Sequence, residues 1–179
     1  MHLIVANIVG IAAIILFVIS FQAKSNKSLN YIQALGNTVY FIQFMLLRAY
    51  SGAYNMPVYI ARNLLFSQAD RWEWLKWKGW AVVFSIPAVF VLWISWDGPL
   101  SIFPFIALVA SNIGYCMDNP RTIRIAEMFA IIPAWIIYDI AYGAYAAILN
   151  ELIILASILV SIYRFGWKNL GSKDFADKK

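Results

Sequence analysis

Apolar residues run almost unbroken through this chain, and short polar breaks divide them into seven stretches. The first runs from Leu3 to Phe21 and is closed by AKSNKS. The second covers Leu29 to Tyr50 and ends at Ser51-Gly52; the third covers Ala53 to Phe66. A polar segment, SQADRWEWLKWKG, precedes the fourth, Trp80 to Trp96. Asp97-Gly98-Pro99 is a turn signal. The fifth run then takes Leu100 to Met117 and is broken by Asp118-Asn119-Pro120-Arg121. The sixth is Thr122 to Tyr138, with Asp139 to Tyr142 as a short connection, and the seventh is Gly143 to Phe165 before a polar tail. A spanning helix needs roughly 20 apolar residues, whereas a barrel strand needs about 10 in strict alternation. These runs have helical length and no alternation, and in lipid only a helix satisfies its own backbone groups within one such segment. The pattern predicts an all-α polytopic membrane protein of seven transmembrane helices. The first run has no preceding cation and no small-residue cleavage site, so an anchor helix is expected there and not a signal peptide.

Composition agrees. Of 179 residues, 63% are hydrophobic and 13% charged, against about half and about a quarter in soluble domains. So few charges cannot cover a folded body with water-facing groups, and most of the exterior must meet lipid. The single Cys116 excludes an internal disulfide and a thiolate metal cluster. The net charge of +5 raises the question of nucleic acid, but its placement answers otherwise. When the connections are assigned alternately to two sides, Lys24, Lys27, Arg71, Lys76, Lys78, Arg121, Arg124, Arg164, Lys168, Lys173, Lys178 and Lys179 share one side, 12 of the 14 basic residues. The positive-inside tendency then puts the N-terminus outside and the C-terminus in the cytoplasm of a multi-pass membrane protein. Trp72, Trp74, Trp77 and Trp80, interleaved with Arg71, Lys76 and Lys78, suit anchoring at the headgroup level better than base stacking.

Residues 46–54, LLRAYSGAY, echo residues 137–145, IYDIAYGAY, with Gly52-Ala53-Tyr54 falling on Gly143-Ala144-Tyr145 at a separation of 91. That separation places the first run on the fifth, the second on the sixth and the third on the seventh. The fourth remains as a linker. An odd linker makes the two triplets parallel, related by an axis along the membrane normal. The expected organisation is a first three-helix repeat over 1–69, a Trp-rich loop and linker helix over 70–97, a second repeat over 98–166, and a cytoplasmic tail over 167–179.

The segments FQAKSNKS, FIQFMLLRAYSGAYNMPVYIARNLLF and YGAYAAILNELIILASILVSIYRFGW resemble the YgjV-type bacterial inner-membrane proteins, within the SWEET and PQ-loop transporter superfamily. Gln22 stands where a PQ-loop glutamine would, with Phe21 in place of the proline. The resemblance implies a small transporter-like bundle and brings no substrate with it. It also implies that asparagines on the third and seventh helices face solute, which selects Asn63 and Asn150 by approximate position.

Ionisable residues inside hydrocarbon cost at least about 2.5–3.5 kcal/mol on insertion scales and require a reason. Arg62 lies ten residues beyond Gly52 and Glu151 eight beyond Gly143, depths of roughly 15 and 12 Å. Each has an amide neighbour, Asn63 and Asn150. Two readings stand: the four line a central polar cavity, or Arg62 and Glu151 close an ion pair that fixes packing. Asn37, Tyr40 and Gln43 on the second helix are further solute contacts or interhelical hydrogen-bonding groups. Tyr40 and Gln43 are three apart, on one face. Packing is expected for Trp135 and Tyr138, a local pair with Arg124 for Glu127, and snorkelling at the outer interface for Arg48 and Asp139.

Catalytic parts are missing: the one histidine is His2, Cys116 has no base nearby, the buried acids are not paired, and no glycine-rich phosphate loop occurs. A non-enzymatic protein without cofactor or metal is expected. The first functional reading is a SWEET-like transporter that moves a small polar solute, a sugar, vitamin or similar metabolite, by alternating access through a central cavity. The second is a non-transporting scaffold or regulatory subunit. The expected partners are the lipid bilayer and a small molecule, with no nucleic acid. A homo-oligomer stays open, although no GxxxG face specifies one.

Overall fold

The computed structural model describes residues 2–20, 22–23, 25–117 and 120–166. Phe21, Lys24, residues 118–119 and residues 167–179, the last with their basic side chains, lie outside the described residues. Helices α1 (His2–Ser20), α2 (Asn26–Leu46), α3 (Tyr50–Phe66), α4 (Trp80–Ile94) and α5 (Ile102–Cys116) follow the first five runs. A 3-10 turn at Glu73–Lys76 sits in the Trp-rich loop, and another at Pro99–Ser101 leads into α5. The sixth run is one rod made of α6 (Pro120–Ala126), a π segment (Glu127–Ile131) and α7 (Ile132–Tyr142); α8 (Tyr145–Phe165) is the seventh. No strand occurs among the described residues. Among the described residues, four segments are long and apolar enough to cross a bilayer: His2–Ser20, Pro99–Cys116, Arg121–Tyr142 and Tyr145–Arg164. Helix α4 is apolar but only 15 residues long.

Small residues decide which faces pack. In α1, Ala6, Gly10 and Ala13 are buried while Ile4, Ile8, Ile11 and Ile15 are exposed, so the close-packing face points inward and the bulky face outward. Ser25 starts α2 by accepting from the Ser28 backbone N–H at 3.1 Å. Helix α1 packs on α2, α2 on α3, α3 on α5, α5 on the α6–α7 rod, that rod on α8, and α8 back on α1. The result is a closed ring of six rods. Helix α4 stands outside it, against α3 and α5.

Two corners of the ring have the same backbone. At the first, Arg48 adopts the left-handed region (φ 58°), and the Ala49 N–H reaches back to the Phe44 carbonyl at 2.9 Å before α3 begins at Tyr50. At the second, Gly143 is left-handed (φ 69°), and the Ala144 N–H reaches the Asp139 carbonyl at 2.9 Å before α8 begins at Tyr145. The corners correspond at a separation of 95 (143 − 48), four residues from the 91 suggested by the Gly-Ala-Tyr match. That tripeptide is therefore one helical turn out of register. Measured from the two corners, Asn150 aligns with Asn55 (150 − 95), so Asn63 and Asn150 stand at different distances from their corners.

The expected connection at Asp139 to Tyr142 is helical. Gly143 ends the helix as a left-handed cap, so Asp139 lies one turn inside it and is buried, not snorkelling.

Candidate functional site

The ring encloses a partly open cavity of about 650 Å³. Its lining reaches the end of the bundle where α1 runs into α2 and α5 into α6, through Val18, Gln22, Leu29, Tyr115 and Arg124. Exposed residues, Val18, Gln22 and Ser157, mark that side as the mouth. The opposite side is floored by aromatic rings. Phe44 stacks on Trp135 at 5.5 Å and meets Tyr138 edge-on at 6.2 Å. The Tyr138 hydroxyl accepts the Gly52 N–H at 2.9 Å. A Cβ at Gly52 would lie 2.7 Å from the Tyr138 ring, so glycine is what lets α3 approach this floor.

Six of the seven residues singled out from sequence line this cavity: Asn37, Tyr40, Arg62, Asn63, Asn150 and Glu151. Gln43 does not. It is fully buried on the α1 side, where its Nε2 donates to Asn7 Oδ1 at 3.4 Å. Tyr40 and Gln43 therefore serve different seams, because the α2 surface between them is shared between the cavity and α1.

The expected Arg62–Glu151 pair does not form. Arg62 Nη1 donates to Ser111 Oγ and Asn112 Oδ1 on α5, both at 2.9 Å. Its guanidinium lies over the Tyr115 ring at 4.1 Å and the Tyr59 ring at 5.0 Å. A guanidinium offers five N–H donors and a flat face, so two acceptors and two rings suit it where an ammonium would fit poorly. Asn112, which the sequence offers as either a solute contact or an interhelical hydrogen-bonding group, takes the second role; that its partner is Arg62 depends on α3 packing against α5.

Glu151 is left facing the cavity, half-buried, with Oε2 unpartnered. Asp139, 1% exposed, also lines the cavity and has neither carboxylate oxygen bonded. Asn63 Oδ1 and the Tyr40 hydroxyl are likewise buried without a partner. Trp135 and Glu127, expected to pack and to pair locally, both contribute to the wall. Glu127 lies within electrostatic reach of Arg62. Tyr138 packs as expected. Asp139 was missed because the apolar run ends at Tyr138; Gly143 as a helix stop was the signal that would have placed it inside. Buried polar atoms are almost always bonded to protein or water, so such a concentration of unpartnered ones implies water or solute in the cavity.

The family model Imp-YgjV, described as bacterial inner membrane protein, matches residues 4–169. The chain belongs to this family. Membership and the apolar helices together fit a multi-pass protein of the bacterial inner membrane. No curated protein and no solved structure matches it. The cavity of this YgjV-family chain must be read from its own residues.

Proposed function

We propose that the chain is a transporter of a small polar solute, working by alternating access through the cavity between two parallel three-helix repeats, with α4 as the linker. The observation that carries this reading is the polar, partly open cavity with unpartnered side chains, enclosed by helices whose outer faces are apolar. A scaffold has no need of such a space, because leaving buried polar groups unbonded costs about 1–3 kcal/mol each.

The repeat organisation is supported by the two equivalent corners and by two matching seams. Ser51 at the start of α3 donates to Ser101 at the start of α5, at 2.8 Å. The Ala146 N–H at the start of α8 reaches Asn7 Oδ1 in α1 at 3.0 Å. Ser51 and Ala146 are themselves 95 apart. With the 3-1-3 order this supports placement in the SWEET and PQ-loop superfamily. The basic-residue asymmetry puts the N-terminus outside and the C-terminus in the cytoplasm, so that the cavity mouth opens inward and the aromatic floor is the outer closure. The π segment at Glu127–Ile131, followed by Pro133, interrupts the rod that carries Trp135 and gives it a place to flex. Catalysis, a cofactor and nucleic acid have no part in this reading; the partners are lipid and a small solute.

The test is counterflow of radiolabelled solutes in vesicles reconstituted with the full chain, with Asn150→Trp as the blocked control. Saturable exchange that the variant loses is expected. Vesicles with correctly folded wild-type protein that exchange no more than empty ones, across neutral, anionic and cationic solutes, would overturn the proposal.

A further inference from the structure

The charges of the cavity are divided by depth. Arg62 and Arg124 are the basic residues of the described lining, and both belong to its mouth half. Arg62 is already held by Ser111, Asn112 and two tyrosine rings, with Glu127 in electrostatic reach. The inner half, next to the aromatic floor, contains Asp139 and Glu151 and no basic side chain. These two carboxylates lie within electrostatic reach of each other and of the Tyr40 hydroxyl. Both Asp139 oxygens, Glu151 Oε2 and Tyr40 Oη have no partner. Around them stand the rings of Tyr40, Phe44 and Trp135.

We propose that the inner half of this cavity binds a small organic ammonium ion, an aliphatic amine or an amine-bearing metabolite, with its –NH3+ group between Asp139 and Glu151 and its carbon body against Tyr40 and Trp135. This rests on the cavity being a solute site, as the transport reading holds. An ammonium group supplies up to three donors where the wall supplies carboxylate and hydroxyl oxygens. It also supplies the positive charge that two carboxylates in a low-dielectric wall lack, and aromatic faces attract cations once they are desolvated. A neutral polyol meets the hydrogen-bonding demand but leaves the charge uncompensated. An organic anion would add a third negative group to the inner half. The cavity, at about 650 Å³, has room for a metabolite-sized molecule.

The experiment is equilibrium binding to the purified full chain in detergent with labelled putrescine, ethanolamine, glucose and succinate, followed by counterflow of the same four in vesicles. Putrescine or ethanolamine is expected to bind saturably and to outcompete glucose and succinate. Asp139→Asn and Glu151→Gln, each checked for an unchanged melting profile, are expected to weaken amine binding about ten- to hundredfold, as loss of a charge-assisted contact should. Ser85→Ala on α4, outside the ring, is expected to leave it within about twofold. Glucose or succinate binding in preference to both amines overturns the ammonium site, as does amine binding indifferent to both carboxylate variants. Glucose counterflow without amine binding removes the ammonium site and leaves the transporter standing. Amine binding without any counterflow leaves the site and removes the transporter.

Discussion

Asn7 and Asp139 are polar residues near the same Gly143 corner of the bundle, and they are treated in opposite ways. At the α1–α8 seam, Asn7 Oδ1 receives the Ala146 N–H at 3.0 Å, and Asn7 Nδ2 donates to the Gly143 carbonyl at 3.0 Å. Gly10 beside it leaves no space: a Cβ there would lie 2.6 Å from that of Ala146. On the cavity wall, Asp139, Glu151, Asn63 and Tyr40 have oxygens with no partner and a cavity in front of them. A seam that bonds its polar groups and excludes side-chain volume contributes rigidity. A wall that leaves polar groups unbonded is destabilised until something fills it, and that is the condition under which a ligand gains affinity. The difference teaches which buried polar residues to read as structure and which to read as a site, a distinction that burial alone does not make: Ser51 at 2% exposure, bonded to Ser101, and Asp139 at 1% belong to different classes.

This contrast can be broken by substitution, and the largest effect is expected at Arg62. It lines the cavity yet is tied to α5 like a seam residue, so Arg62→Ala should lower stability by about 3 kcal/mol or more through lost charged hydrogen bonds and cation–π contacts. Unfolding in mixed micelles measures this; an unchanged midpoint would show that its α5 contacts carry little. Gly52→Ala comes next. The added methyl must displace the Tyr138 ring from the cavity floor, at an expected cost of about 1–3 kcal/mol, read by the same unfolding assay. A midpoint equal to wild type would mean the floor yields freely. The smallest stability effect is expected for Asp139→Asn, which removes a charge that has no protein partner to lose: a change within about 0.5 kcal/mol or a slight gain. A loss as large as that at Gly52 would move Asp139 into the structural class and dissolve the contrast.

Much of this was legible along the chain. All seven apolar runs became helical rods in the expected order, because run length and the need to bond backbone groups in lipid leave few alternatives. The wall of the cavity was largely legible too: Asn37, Tyr40, Arg62, Asn63, Asn150 and Glu151 were selected because polar side chains deep in apolar runs are costly and demand an explanation. What sequence could not show was partnership. Arg62 and Glu151 have opposite charges at similar depth, which invites pairing, but the choice between Glu151 and Ser111-Asn112 depends on which neighbour α3 packs against. The four-residue difference between the Gly-Ala-Tyr spacing and the corner spacing has the same origin. Gly52-Ala53-Tyr54 and Gly143-Ala144-Tyr145 match as letters, while Arg48 and Gly143 match as backbone.

By itself the sequence determined the solvent this protein lives in, the number and order of its rods, and the residues too polar to face lipid, since each follows from local composition and a fixed helical rise. Only the tertiary structure decided that the rods close into a ring, that Asp139 lies inside it, and which polar groups find partners. Those outcomes turn on contacts between residues far apart in the chain, such as Asn7 with Ala146 and Arg62 with Ser111, and no local pattern records them.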